Sequence, residues 1–310
     1  MKGRLLGKKA ASLIERSIKK IFTKSNKQLF KNNLKLIEIE TFSYCNRKCW
    51  FCPNSFVDRI TENKIMPEET YLDLIDQLAE INYSGEIAYS RYNEPTSQRE
   101  LFIKRIKQAR ERLPNAVLKT NTNGDYLTRD YIEQLCDVGF NQLWIQQYLS
   151  NDERYDHEKM RERAEKKIKK LGLPATVITD VPGCKLEYDL SYRGMTIHIR
   201  SRNFEIDGSS RGDTIDIAQD YVRTQKCTQV TNNMYIDFNG SVMVCCALRS
   251  DVPGQESGIM GQVSDGKLWD IYMSDAYKPW REHHKDDGPK EGFCKTCKDS
   301  VEPEYMKDVK

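Results

Sequence analysis

Three cysteines within eight residues, Cys45, Cys49 and Cys52, directly follow a stretch of alternating polarity in which Ile37 and Ile39 are interleaved with Glu38 and Glu40. A period of two marks residues 36 to 42 as a strand, so the cysteines occupy the loop at its carboxyl end. Whatever fold the chain adopts must therefore present three thiols from one short loop, and thiolates are soft ligands suited to iron–sulfur clusters or zinc. The run Cys45-Asn46-Arg47-Lys48-Cys49-Trp50-Phe51-Cys52 has no neighbouring histidine to act as a fourth ligand. A structural zinc site closes its shell with four protein ligands, whereas three thiolates leave one iron of a cubane open to a further molecule.

The chain has ten cysteines among 310 residues. In a sequence with no apolar run long enough to cross a bilayer and no secretory leader, metal ligation is a better account of them than disulfides. The expected compartment is the cytoplasm. A second group is Cys227, Cys245, Cys246, Cys294 and Cys297, while Cys136 and Cys184 stand alone as ordinary buried thiols. Cys227, Cys245, Cys294 and Cys297 together supply four thiolates, enough to close a 4Fe-4S cluster or a zinc site.

Between the two groups, helical and strand patterns alternate. Helices are expected over 68–82, 98–112, 128–138 and 152–171, and strands over 85–90, 116–121, 142–148, 175–180 and 195–200. Strands alternating with helices imply parallel βαβ units, and about six of them imply an α/β fold of the open, partial (β/α)6 barrel type. Beyond about residue 215 the strands shorten, with 234–238 and 241–245 joined by Asn239-Gly240, a hairpin turn signal. The expected division is 1–35, 36–214 and 215–310.

Residues 1–35 hold eleven Lys/Arg and only Glu15, leaving 38 basic against 45 acidic residues in the remainder. Apolar positions from Leu6 to Phe22 recur at helical spacing, so this segment reads as a basic amphipathic helix. It suits either an anionic membrane surface, at the inner face of the membrane, or packing against the body. Nucleic acid is not an expected partner, because the basic charge is confined to this segment.

The x3, x2 cysteine spacing with the aromatic Phe51 before the third cysteine resembles the radical S-adenosylmethionine (SAM) superfamily. The resemblance implies a 4Fe-4S cluster on Cys45, Cys49 and Cys52. Its open iron is chelated by the amino and carboxylate groups of SAM, which is cleaved to a 5′-deoxyadenosyl radical. Asn93-Glu94-Pro95 resembles the family's Gly-Glu-Pro motif, with Asn93 in place of the glycine, and Thr122-Asn123-Gly124 resembles its Thr-Asn-Gly turn. Asn93, Glu94, Asn123 and Gln146, in the strand after that turn, are the cofactor-binding candidates. The later cysteines resemble the SPASM domain and its shortened twitch form, which implies one auxiliary 4Fe-4S cluster on Cys227, Cys245, Cys294 and Cys297.

Cys246 has no place in a four-ligand count. On a strand it faces opposite Cys245, and it is the candidate thiol for returning hydrogen to a substrate radical. The layout resembles the aminocyclitol dehydrogenase and aminoglycoside epimerase branch, implying a sugar or aminocyclitol substrate. The alternatives are a peptide substrate or a non-catalytic iron–sulfur protein. His198, Arg200, Arg202 and Arg211 fall where substrate contacts belong, and a flavodoxin or ferredoxin is the expected electron donor.

Overall fold

The computed structural model describes residues 24–306. The basic amphipathic helix expected within 5–22 lies outside them. The described elements are α1 (24–33), β1 (Leu36–Ile39), α2 (Glu68–Glu80), β2 (Glu86–Ala88), α3 (Arg99–Arg112), β3 (Val117–Thr122), α4 (Arg129–Asp137), β4 (Gln142–Gln147) and α5 (His157–Leu171). They continue with β5 (Ala175–Val181), β6 (Lys185–Tyr192), β7 (Met195–Arg202), α6 (Phe204–Asp207), α7 (Gln229–Asn232), β8 (Asn233–Ile236), β9 (Ser241–Met243), β10 (Ile259–Gln262), α8 (Leu268–Tyr272) and α9 (Tyr277–His284).

Each barrel helix buries one stripe. Tyr71, Leu74, Ile75 and Leu78 on α2 fall at i, i+3, i+4 and i+7, as do Phe102, Arg105, Ile106 and Ala109 on α3. Thr128 caps α4 and Asp156 caps α5, each side chain accepting from a backbone N–H in the first turn. The helices cover one face of the sheet, where Ile37, Ile39, Ile87 and Leu118 are fully buried. The opposite faces of the same strands line the interior space.

One ten-stranded sheet runs β10-β9-β8-β1-β2-β3-β4-β7-β6-β5. Six consecutive strands, β8-β1-β2-β3-β4-β7, are mutually parallel, which gives the α/β partial barrel. Two details depart from the sequence reading. Strand–helix alternation stops after α5, because β5, β6 and β7 form an antiparallel meander. The sixth parallel strand is β8, which comes from the C-terminal part of the chain and pairs with β1, Leu36 opposite Asn233. The expected 234–245 hairpin forms, Tyr235 opposite Met243, but β9 ends before Cys245.

Buried ion pairs reinforce the β1–β8 junction. Arg59, in the segment after the cysteine loop, reaches Glu40 at 2.9 Å and Asp251 at 2.9 Å. Arg249 donates to Asp251 and to Asn54 Oδ1. Arg91 pairs with Asp237 at 2.6 Å. Among the described residues, no helix is long and apolar enough to cross a membrane.

Candidate active site and second cysteine centre

Cys45, Cys49 and Cys52 line one cleft of about 530 Å³ at the carboxyl ends of the parallel strands, together with Asn93, Glu94, Asn123 and Gln146. Folding thus brings together all seven residues expected at the first centre. Burial pushes the Cys45 and Cys49 thiols up to about 12 and raises Cys52 as well, so these sulfurs favour the protonated form until a metal displaces the proton.

The loop is fixed from outside. Arg47 makes a two-pronged contact with Asp125 at 2.8 Å and donates to Leu149 O at 3.0 Å. Burial opposes ionisation of Asp125, but Arg47 more than offsets it and holds the carboxyl below its usual range. Phe51 stacks on Phe204 with ring centroids 3.7 Å apart.

Glu94 braces the two motifs. Its Oε1 accepts from Thr96 N, Thr96 Oγ1 and Thr122 Oγ1, and its Oε2 accepts from Asn123 N at 2.7 Å. Oε1 is fully used while Oε2 retains accepting capacity toward the cleft. Gly124 adopts φ +71°, and a Cβ there would lie 2.7 Å from the Ile145 side chain, so the Thr-Asn-Gly turn requires its glycine. Lys167 from α5 donates to Asn123 O at 2.9 Å. Gln146 donates to Asn121 and accepts from Arg200 Nε at 3.2 Å, as expected for residues paired in register across β4 and β7.

The cleft fits a cluster with a bound amino-acid cofactor on two counts. Three thiols share it, Cys49 buried and Cys45 and Cys52 half-buried, and Asn93 Nδ2 is buried with no hydrogen-bond partner, leaving a donor for a group such as a carboxylate.

Cys227, Cys245, Cys294 and Cys297 line a second cavity, joined by Cys246 and His284. Burial raises Cys227 and Cys245, and pushes Cys294 up to about 12. The Trp280 carbonyl, 2.6 Å from His284 Nδ1, fixes the ring proton there, leaving Nε2 to accept from the Cys294 thiol at 3.0 Å. Arg223, 1% exposed, donates to the carbonyls at 297, 299, 225 and 226 and, at 3.9 Å, to Cys297 Sγ, and among the described residues it forms no ion pair. A buried, unpaired cation beside four thiols fits a negatively charged centre. A single zinc draws its sulfurs to within about 4 Å of one another, whereas a cubane takes one thiolate at each corner. Among the described residues, no three Cys, His, Asp or Glu side chains converge closely enough to hold one ion.

Residues 39–183 match the family described as the radical SAM superfamily, and residues 227–298 match the one described as an iron–sulfur cluster-binding domain, SPASM. The chain belongs to the radical SAM superfamily. It is an enzyme of that class with a SPASM-type C-terminal region, and its cofactors are a catalytic 4Fe-4S cluster, SAM and auxiliary iron–sulfur chemistry. The chain is 24% identical over 276 residues to the S-adenosyl-L-methionine-dependent 2-deoxy-scyllo-inosamine dehydrogenase of Niallia circulans, covering 88% of this chain and 96% of that one. The crystal structure of BtrN in complex with AdoMet and 2-DOIA has the same fold, at TM-score 0.58 and 21% identity over 82% of this chain and 88% of that one. The open form of BtrN gives 0.55 at 20% identity, covering 87% and 92%.

In this radical SAM enzyme a third space of about 1020 Å³ adjoins the first cleft, and Cys52, Glu38, Arg211 and Cys246 all border it. Cys246 lies in a bend beyond β9, so the opposite-face argument for it fails; it borders both this chamber and the second cysteine cavity. His198 stacks on Trp144 at 4.1 Å and pairs with Asp189 instead of lining the chamber. Glu38 escaped the sequence reading, where it served only as the polar side of an alternating strand. Its carboxylate approaches Arg91 no closer than 4.0 Å. Burial pushes it up to about 7, with Arg91 opposing.

Proposed function

We propose that this radical SAM enzyme oxidises a secondary alcohol of a sugar or aminocyclitol to a ketone. The observation that carries the reading is one chamber bordered by Cys52 of the first cysteine set, Cys246 of the second and the carboxyl of Glu38. When bound, the cofactors supply a hydrogen-abstracting radical at the first centre and an electron sink at the second. Cys45, Cys49 and Cys52 hold the first cluster, and Cys227, Cys245, Cys294 and Cys297 the second. Asn93, Glu94, Asn123 and Gln146 bracket SAM. Glu38 takes the hydroxyl proton, its raised pKa matching a general base at neutral pH. The carbinol thus loses one hydrogen atom, one electron and one proton, leaving a C=O bond. The dehydrogenase activity named for the 24% identical relative supports the same reading.

The division at 36–214 and 215–310 follows these two centres. We assign electron supply to a flavodoxin or ferredoxin. To the basic residues 1–35 we assign weak attraction to anionic lipid, tested by vesicle cosedimentation with and without residues 1–30.

The deciding experiment incubates anaerobically reconstituted, reduced enzyme with SAM and 2-deoxy-scyllo-inosamine or related cyclitols. Ketone formed one-to-one with 5′-deoxyadenosine is the expected result. Substrate-dependent 5′-deoxyadenosine without any ketone would overturn dehydrogenation.

A second reading rests on Cys246 facing the same chamber. A hydrogen atom given by its thiol to the opposite face of the carbon radical inverts the centre, and the thiyl is reset by one electron and one proton. Deuterium from heavy water in recovered substrate, lost in Cys246→Ala, identifies that epimerase; its absence assigns Cys246 a structural role.

A further inference from the structure

The chamber wall formed by β7 carries two guanidiniums that no ion pair neutralises among the described residues, although Glu187 stands across from Arg200 on β6 and Asp207 borders the same vestibule. Arg200 and Arg202 are two residues apart and share a face of the strand, their Cα atoms separated by about 7 Å. Both border the chamber and the 750 Å³ vestibule that opens from it. Among the described residues, neither forms an ion pair. Arg200 has one hydrogen bond, to the neutral Gln146. The Nε of Arg202 is buried with no partner, and its guanidinium lies 4.9 Å from the Phe204 ring centroid. Two other cations nearby are better matched, since Arg91 meets Asp237 and Lys185 meets Glu187 at 3.0 Å. Arg211 likewise forms no ion pair among the described residues, and Asp299 borders the chamber beside all three arginines.

Two adjacent guanidiniums repel each other, and desolvation makes an unpaired one costlier still. Arg200 bears both effects, pulled down to about 10 by burial first and then by Arg202. SAM does not relieve them if its amino and carboxylate groups are spent on the cluster iron, because the sulfonium that remains is itself cationic. A partner that suits the pair is an anionic group on the substrate. Guanidiniums present paired N–H groups matched to carboxylate and phosphate oxygens.

We propose that Arg200 and Arg202 form an oxyanion subsite, so that the alcohol oxidised by this enzyme belongs to an acidic sugar or cyclitol, one bearing a carboxylate or a phosphate. The inference rests on the alcohol-oxidation reading and narrows its substrate class.

The test is calorimetric binding to reconstituted holoenzyme already saturated with SAM, using glucuronate, glucose 1-phosphate and myo-inositol as probes. At least one anion binds ten-fold or more tightly than myo-inositol, and which one does so distinguishes carboxylate from phosphate. The advantage disappears in Arg202→Gln and in the Arg200→Gln/Arg202→Gln pair. It is partly kept in Arg202→Lys, which retains the charge without the paired donors. Iron content and SAM affinity, measured on each variant, certify its fold. Equal affinity for myo-inositol and both anions, or an anion preference that survives the paired substitution in folded protein, overturns the subsite. Turnover separates the two ideas. Oxidation of neutral cyclitols without anion preference removes only the subsite, whereas tight anion binding with no alcohol oxidised leaves the subsite and removes the reading beneath it.

Discussion

The two cysteine sets are assembled by opposite routes. Cys45, Cys49 and Cys52 come from one loop of eight residues, held in shape by Arg47 against Asp125 and by Phe51 on Phe204. Cys227, Cys245, Cys294 and Cys297 span some seventy residues and converge from a bend after β9, a 3-10 turn at Gly292–Cys294 and the segment before α7. Their surroundings contain little regular structure, and the segment 285–300 is tied in through Arg223 and His284. The first set is a short local device on a preformed barrel. The second closes long loops, so whatever binds there also stabilises the region around it.

That contrast breaks most sharply under mutation. Replacing Cys45, Cys49 and Cys52 together with Ala is expected to abolish 5′-deoxyadenosine formation and remove about four irons per chain, while the thermal midpoint stays close to that of the unmutated protein. Iron analysis and calorimetry on one preparation check both halves. A collapse in stability equal to that of the second set would erase the distinction.

Cys294→Ser with Cys297→Ser is expected to do the reverse. Iron falls by about four per chain, residues beyond 285 become the first site of limited proteolysis, and cofactor cleavage by the first centre survives. Loss of zinc instead of iron in that variant would make the second site structural.

The ion pairs linking the regions come next. Arg59 and Glu40 are both at most 2% exposed, so Arg59→Ala leaves a buried carboxylate with the Tyr92 N–H but without its cation and should cost about 3–5 kcal/mol of stability. Urea denaturation measures this, and a cost under 1 kcal/mol would show that the junction relaxes freely.

The smallest expected effect is on pH dependence. Glu38 faces Arg91, Lys119 and Arg211 on the basic side and Asp299 on the acidic side, and its folded pKa of about 7 lies above the ordinary 4.5. Its burial costs nothing while both states hold the proton, below pH 4.5. The cost grows as pH rises through about 7, so this group makes the urea midpoint fall between those limits. Glu38→Gln should flatten that segment of the profile and remove the rising limb of ketone formation near neutrality. An unchanged profile in the Gln variant would clear Glu38 of both roles.

Legibility in the sequence followed how local each feature is. The cysteine loop, Asn93-Glu94 and Thr122-Asn123-Gly124 are contiguous, and each lies at the end of a strand whose pattern is readable. Strand β6 was readable too, since Leu186, Tyr188 and Leu190 alternate with Lys185, Glu187 and Asp189 between Pro182-Gly183 and Arg193-Gly194. Passing over it made an antiparallel meander look like further βαβ units. Glu38 was hidden for a different reason. Alternation marks a polar face without saying whether it meets water or an enclosed chamber, and only the closure of β8 onto β1 decides that. Cys246 illustrates the limit of strand logic, because β9 ends two residues before the cysteine pair.

The pairing of β8 with β1 also has a consequence for the order of synthesis. Strand β1 leaves the ribosome early, yet its partner on one side emerges about 200 residues later. Until then β1 is the open margin of a parallel sheet, with its peptide groups unpaired and ready to accept a strand from another chain. Fragments that stop before residue 233 should therefore be aggregation-prone even with the barrel helices intact. A nascent chain delayed between residues 202 and 233 is most in need of a chaperone.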